Sequence, residues 1–243
     1  MNRQRVVVIV QARMGSTRLP GKVLMDIEGR PMLERQLERL LRARTPDVTV
    51  IATTTDARDQ PIVDLATQLD VPVTRGSEHD VLDRYLRAAE AHAADVIVRV
   101  TADCPLIDPD VLDHCVDVLL DDPTLHYVSN TLHRTYPRGL DVEVLTRTTL
   151  ETAARDATEP ADREHVTRYV WRQPERFRLG SVTDHDDHSH LRWTVDTQED
   201  LDLVRRIYAD IFVNDPGFGY PAAIDHARSF PTVHACNAHV TQR

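Results

Sequence analysis

Lysine is almost missing from this chain: of 29 basic residues, 28 are arginine and one, Lys22, is lysine. An ammonium is a compact point charge that the planar guanidinium fork does not copy, so a lone lysine in an arginine-biased sequence marks a position to follow. Cysteine is scarce too. Cys104, Cys115 and Cys236 form no C-x-x-C pair, and their odd number argues against a disulfide framework, so reduced thiols and a cytoplasmic protein are expected. Long hydrophobic runs are absent. The longest, Val6–Val10 behind Arg3 and Arg5, is too short for a signal segment or a membrane span, and no membrane association is expected. Positive charge is in the minority, 29 basic residues against 39 acidic ones, and a net charge of −10 argues against nucleic acid as the main partner. Any anion must therefore be held by a local concentration of cations. With 8 glycines and 14 prolines in 243 residues, fibrous and low-complexity classes are excluded, and the length suits one generous domain.

What is present alternates apolar strand-like runs with helical periodicity, the pattern of an α/β protein with a mostly parallel sheet. Strands are predicted at Arg5–Val10, Val48–Thr53, Val71–Thr74 and Asp95–Thr101, and helices at Pro31–Arg44, Asp59–Leu69, Asp80–Ala93 and Pro109–Leu120. The rhythm changes over residues 126–190, which hold three short strand candidates (His126–Asn130, Asp141–Leu145, Phe177–Val182) and one helix, Pro160–Gln173. That stretch reads as an inserted, oligomer-forming lobe of a single domain spanning residues 1–243. The core pattern resumes in an alternating strand, Leu191–Val195, and a helix capped by Thr197 with Asp200 at capping-box spacing. One more helix is expected near the end of the chain.

The chemistry-bearing residues follow the predicted strands. Gln11-Ala12-Arg13-Met14-Gly15-Ser16-Thr17-Arg18-Leu19-Pro20-Gly21-Lys22 comes directly after the first strand, and the first 25 residues hold five positive side chains and no acidic one. Glycines allow close backbone approach, hydroxyls add donors, and a loop at the carboxyl end of a first strand is where open α/β sheets bind phosphates. It matches neither a Walker A loop nor a dinucleotide-binding fingerprint. Asp103 follows the apolar strand ending at Thr101, and Asp196 follows Val195. Two carboxylates at strand ends facing a phosphate loop suit Mg²⁺, which combines one or two carboxylates with phosphate oxygens and water.

These residues resemble the cytidylyltransferases that activate acidic sugars such as 3-deoxy-manno-octulosonate and acylneuraminate, and especially a spore-coat polysaccharide biosynthesis branch. The likeness is carried by Gln11–Lys22, Gly76-Ser77-Glu78-His79-Asp80-Val81-Leu82-Asp83-Arg84-Tyr85, and Arg99-Val100-Thr101-Ala102-Asp103-Cys104-Pro105. It continues in Tyr127–Asn130, Gly139-Leu140-Asp141-Val142-Glu143, Arg163–Thr167, Thr194–Thr197 and the ending Asn237-Ala238-His239-Val240. The resemblance implies a GT-A-like (Rossmann-like) nucleotide-binding fold, a homodimer, and transfer of CMP from CTP with release of pyrophosphate. It implies catalytic roles for Arg13, Lys22, Asp103 and Asp196, with Asp103 and Asp196 holding Mg²⁺. Gln11, Ala12, Gly15, Ser16, Ala52, Thr53, Gly76, Ser77, Asp80 and Thr101 would join them around the nucleotide. Asn130, Asp141, Glu143, Arg163 and His165 would lie toward an acidic acceptor.

Other readings are weaker. Asp184-His185-Asp186-Asp187-His188-Ser189-His190 invites a transition metal, but its ligands crowd one flexible stretch and a solvated acidic loop is the simpler account. Asp108-Pro109-Asp110 matches the D-x-D of glycosyltransferases that consume sugar nucleotides, yet Asp before Pro is a natural helix N-cap. Cys104 lacks a histidine partner and reads as a small buried hydrophobe. Arg99, inside a strand, either pairs with a site carboxylate or snorkels to an edge. A catalytically silent nucleotide-binding protein remains the third alternative.

Overall fold

The computed structural model describes residues 3–241. β1 (Val6–Gln11) leads through a short 3-10 turn at Lys22–Leu24 into the hairpin β2 (Asp26–Ile27) and β3 (Arg30–Pro31), then helix α1 (Met32–Leu40). There follow β4 (Val48–Thr54), α2 (Gln60–Gln68), β5 (Val73–Gly76), α3 (Val81–Ala91), β6 (Val96–Thr101) and α4 (Pro109–Asp121). The second half contains β7 (Tyr127–Ser129), β8 (Glu143–Thr146), α5 (Arg147–Asp156), α6 (Pro160–Glu164), α7 (Arg168–Trp171) and β9 (Leu179–Ser181). Helices α8 (Gln198–Ile211), α9 (Tyr220–Ser229) and α10 (Pro231–His234) complete the described elements.

Seven strands form one sheet in the order β5-β4-β1-β6-β8-β7-β9, and within it β8 runs against its neighbours. β1 explains the centre of the sheet. Every residue from Val6 to Val10 is buried, with Val6, Val8 and Val10 entering one core and Val7 and Ile9 the other, as a β-branched run covered on both faces requires. Helices α1, α4 and α8 cover the first face through Leu33, Leu37, Leu112, Val116, Leu201 and Val204. Helices α3 and α5 cover the second through Leu82, Tyr85, Leu150 and Ala153. The chain pairs β4 and then β5 on one side of β1 before returning to β6 on the other, which puts the switch in strand order between β1 and β6. Ligands of open α/β sheets bind in the crevice outside the carboxyl ends at such a point.

Several expectations need correction. Residues 126–190 do not stand apart, since β7, β8 and β9 extend the same sheet. The helix expected over Pro160–Gln173 is broken between α6 and α7, where Val166 adopts a left-handed φ of 53° that helical periodicity cannot reveal. Helix α5 was not foreseen because few of its residues are apolar and buried. Leu191–Val195 is extended but joins no ladder. Its alternation suggested wet positions at Arg192 and Thr194, yet both are buried. The segment is stitched instead by Trp193 N–H to Arg138 O (2.7 Å) and Val195 N–H to Asp103 O (2.8 Å).

That stitching depends on Gly139. Its φ is +104°, and a Cβ there would lie 2.6 Å from the Thr194 nitrogen and from the Trp193 carbonyl carbon. Because the obstruction is backbone, Gly139→Ala is expected to cost at least about 1–3 kcal/mol, read as a lower melting temperature. A melting temperature equal to wild type would disprove this close approach.

Candidate active site

The loop after β1 is held from behind. Asp59, buried at the start of α2, accepts the Met14 N–H at 2.7 Å and a bond from the Thr54 hydroxyl. Gly21 closes the loop in a left-handed turn, its N–H reaching Met14 O at 3.0 Å, and launches Lys22 toward the sheet edge. The Lys22 ammonium is buried and donates to Asp103 Oδ2 (3.1 Å), Asp196 Oδ1 (3.0 Å) and Val195 O (2.7 Å). Burial alone would lower its pKa, but the two carboxylates outweigh that and hold it above the usual lysine value. Lys22 is therefore the cation between the two aspartates, the place where the sequence pattern suggested a metal.

Asp196 is correspondingly rich in partners. Its Oδ2 meets Arg18 at 2.9 Å and Arg192 at 2.8 Å. Burial alone would raise its pKa, and Lys22, Arg192 and Arg18 together hold it below the usual range. Arg192 also bonds fully buried Asp200, whose carboxylate caps α8 by accepting the N–H groups of Asp196 and Thr197. The Asn237 side chain ties Arg192 O (2.9 Å) and Asp200 Oδ1 (2.8 Å) together. Asp103 is steadied by the Thr101 hydroxyl at 2.5 Å. Cys104 is buried and its thiol is pushed well above its ordinary pKa, as fits a packing residue.

Two adjoining cavities open here. The larger, about 440 Å³, lies over the loop and is lined by Gln11, Ala12, Arg13, Ser16, Arg18, Lys22, Thr101, Asp103 and Asp196 among others. The smaller, about 250 Å³, is lined by Thr131, Arg134, Arg138, Asp141, Glu143 and Thr194. Arg99, Thr101 and Asp103 belong to both walls, so Asp103 stands at their junction.

The structure brings some expected residues together and moves others back. Ala52 and Thr53 are fully buried behind the loop, where Ala52 O accepts the Ala12 N–H, and they do not line the cavity. Gly15, Gly76 and the exposed Ser77 do not line the larger cavity either. Asp80 caps α3 and is gripped by Arg163, with the shortest contact 2.6 Å, so this pair joins α6 to α3 instead of facing a ligand. Asn130 is buried and holds Leu140 O and Val142 N–H, shaping the approach to β8. His165 lines the larger cavity, and Asp141 and Glu143 line the smaller. Arg99 pairs with Glu143, whose other oxygen accepts the Tyr127 hydroxyl at 2.6 Å.

The sequence pattern did not single out Arg18, Arg84, Arg134, Arg138 or Arg192. Arg84 is 1% exposed, donates to Ser77 O at 2.6 Å and leaves its buried Nε without a partner at the wall of the larger cavity. Burial holds its pKa below the usual arginine value. Asp108 accepts the Asp110 and Val111 N–H groups, so it is a helix cap. Among the described residues no cluster of three or more His, Cys, Asp or Glu is arranged to hold a metal, the 184–190 loop included. No described helix is long and apolar enough to cross a membrane.

A mostly parallel α/β sheet carries a cationic loop and paired carboxylates at its switch point, and the family the sequence matches is one of nucleotidyltransferases. The family model for cytidylyltransferases matches residues 7–217, and the chain belongs to that family of CTP-dependent enzymes. It is 39% identical over 201 residues to an uncharacterized protein of Methanocaldococcus jannaschii, covering 82% of this chain and 81% of that one. It is 33% identical over 211 residues to the spore coat polysaccharide biosynthesis protein SpsF of Bacillus subtilis, covering 84% and 86%. A cytidylyltransferase structure from Leptospira borgpetersenii superposes with a TM-score of 0.92 at 33% identity over 99% of this chain and 100% of that one. The fold is also that of CMP:2-keto-3-deoxy-manno-octonic acid synthetase complexed with CTP, with a TM-score of 0.66 at 20% identity over 85% and 99%.

Proposed function

We propose that this enzyme transfers CMP from CTP to an acidic sugar in cytoplasmic polysaccharide biosynthesis, and that it works as a homodimer. The observation that supports this most directly is Asp103 at the junction of the two cavities, bonded to Lys22. CTP would occupy the larger cavity, with its phosphates over the loop that carries Arg13, Arg18 and Lys22. The acceptor would occupy the smaller one. In the transfer an acceptor hydroxyl oxygen forms a bond to the α-phosphorus, and the bond from that phosphorus to the oxygen bridging to the β-phosphate breaks. Pyrophosphate leaves with the electron pair, and the acceptor hydroxyl gives up its proton to solvent. Negative charge grows on the leaving oxygens, where the fixed cations of the loop stabilise it more in the transition state than in the ground state.

Asp103 and Asp196 fit a hard divalent cation, since their oxygens converge on a single cationic point 3.1 and 3.0 Å away. Bound there with the nucleotide, Mg²⁺ would supply charge neutralisation at the phosphates. Lys22 would yield one of its carboxylate partners in exchange and become available to phosphate.

The test is pyrophosphate release with each of the four nucleoside triphosphates against a panel of acidic sugars, with and without Mg²⁺. Release with CTP alone, abolished by a chelator, is expected. Silence with all four nucleotides would overturn the assignment.

A further inference from the structure

The family match ends at residue 217, yet the chain beyond it reaches back under the site. Helices α9 and α10 and the turn after them meet the extended segment 191–196, which carries Asp196 outside the sheet ladders. Two consecutive residues of that segment are held from the tail. Asn237 donates to Arg192 O at 2.9 Å, and the fully buried Trp193 donates from Nε1 to His234 Nδ1 at 3.1 Å. His234 Nε2 then meets His226 Nδ1 at 2.9 Å, and His226 Nε2 meets Asp210 Oδ2 on α8 at 2.9 Å. Both histidines are buried.

The direction of this chain is fixed at its ends, because an indole N–H only donates and a carboxylate only accepts. His234 Nδ1 must therefore accept, which places its proton on Nε2. That proton faces His226 Nδ1, which must accept in turn and leaves His226 Nε2–H for Asp210. Every link is made only when both imidazoles are neutral. An added proton sets two N–H groups against each other, either between the imidazoles or between His234 and Trp193. Burial and the neighbouring His226 hold the His234 pKa down at about 4. The charged groups around the pair are themselves matched. Asp210 is shared with Arg206 of the same helix (2.6 Å), and Asp225 and Arg228 of α9 pair with each other (3.4 Å). Tyr220, whose ring meets Trp193, donates its hydroxyl to Asp184 at 2.5 Å.

We propose that α9 and α10 form a proton-sensitive clamp on the segment that presents Asp196, with His234 as the positioning residue that sets it through Trp193. The inference rests on the site proposed above and goes beyond its reaction. With the clamp closed, Trp193 and Val195 keep their backbone bonds to Arg138 and Asp103, and Val195 O and Asp196 stay on Lys22. Released, His234 takes up a proton near its ordinary value of ~6.5, whereas clamped it does so only at about 4. The closed state is therefore favoured in full above ~6.5 and loses up to about tenfold per pH unit as the pH falls toward the clamped value.

The chain has two tryptophans, so Trp171→Phe, at an exposed position, leaves Trp193 as the sole indole. In that background the emission of Trp193 is titrated from about pH 7.5 to about 4.5 beside far-ultraviolet circular dichroism. A change in emission below ~6.5 is expected while the dichroism is unaltered. His234→Asn should abolish it, because the asparagine oxygen takes the place of Nδ1 and gains no proton. In parallel, binding of CTP with Mg²⁺ to the full chain is measured near neutral pH. His234→Leu, which keeps the bulk and loses the acceptor, should weaken it by about 10-fold or more, and His234→Asn should stay within about 3-fold of wild type. Unchanged emission, a change that comes only with loss of dichroism, or its persistence in His234→Asn overturns the clamp and leaves the transfer reading standing. So does binding by His234→Leu within about 3-fold of wild type. Failure of the wild type to bind CTP removes the transfer reading, and the emission titration alone then decides the clamp.

Discussion

Replacing Lys22 with methionine is expected to lower the rate of pyrophosphate release by at least about 10²–10³-fold, the usual effect of losing one preorganised electrostatic donor. The reason is positional. Lys22 is 8% exposed and its ammonium has three oxygen partners, two of them the carboxylates that face the nucleotide cavity. Methionine keeps the stem's bulk and removes the charge, leaving Asp103 and Asp196 without the cation between them. Arginine should not rescue the loss, because a planar fork cannot replace a point donor with three acceptors converging on it. Asp103→Asn should produce a loss of similar size, since Asp103 stands where the two cavities meet. The measurement is kcat for the wild type and the three variants under saturating CTP. A near wild-type rate for Lys22→Met or for Asp103→Asn would take the site away from this place.

How much of this was legible beforehand depended on whether the signal was local. The β1 run and the loop behind it declare themselves, because a strand covered on both faces must be continuously apolar and the loop's charges contrast with an acidic chain. Asp103 and Asp196 are legible as strand-end carboxylates. The Arg192–Asp200–Asn237 network behind Asp196 is not, because it joins residues from three stretches of chain and Arg192 looked like the outward half of an alternating strand. Asp200 shows the same division: its capping-box spacing was readable, while its ion pair with Arg192 was not. Asp80 and Arg163 show the converse. Both lie in motifs that mark them as ligand contacts, yet 83 residues apart in sequence they bond each other across α3 and α6.

Asp200→Asn is the substitution expected to cost the most stability. Asp200 is fully buried and its two oxygens serve Arg192, Asn237 and the N–H groups of Asp196 and Thr197, so one carboxylate caps α8 and neutralises a buried arginine. Breaking a buried pair from one side leaves the other charge uncompensated, at about 3–5 kcal/mol, which for a chain of this size lowers the melting temperature by roughly 6–20 °C. The pH dependence separates the charge from the shape. Burial alone would raise the Asp200 pKa, but Arg192 and the helix-cap bonds hold it below the ordinary carboxylate value, and Asp196 is likewise lowered. A carboxyl with a depressed folded-state pKa contributes stability above its unfolded pKa, near ~3.9, and loses that contribution as pH falls through the folded value. Wild type and Asp200→Asn should therefore differ most near neutrality and converge as the pH is taken below ~3.9. Chemical denaturation across that range is the check. A difference under ~1 kcal/mol at neutral pH, or one that persists undiminished in acid, would show that the Asp200 charge does not hold the segment carrying Asp196 in place.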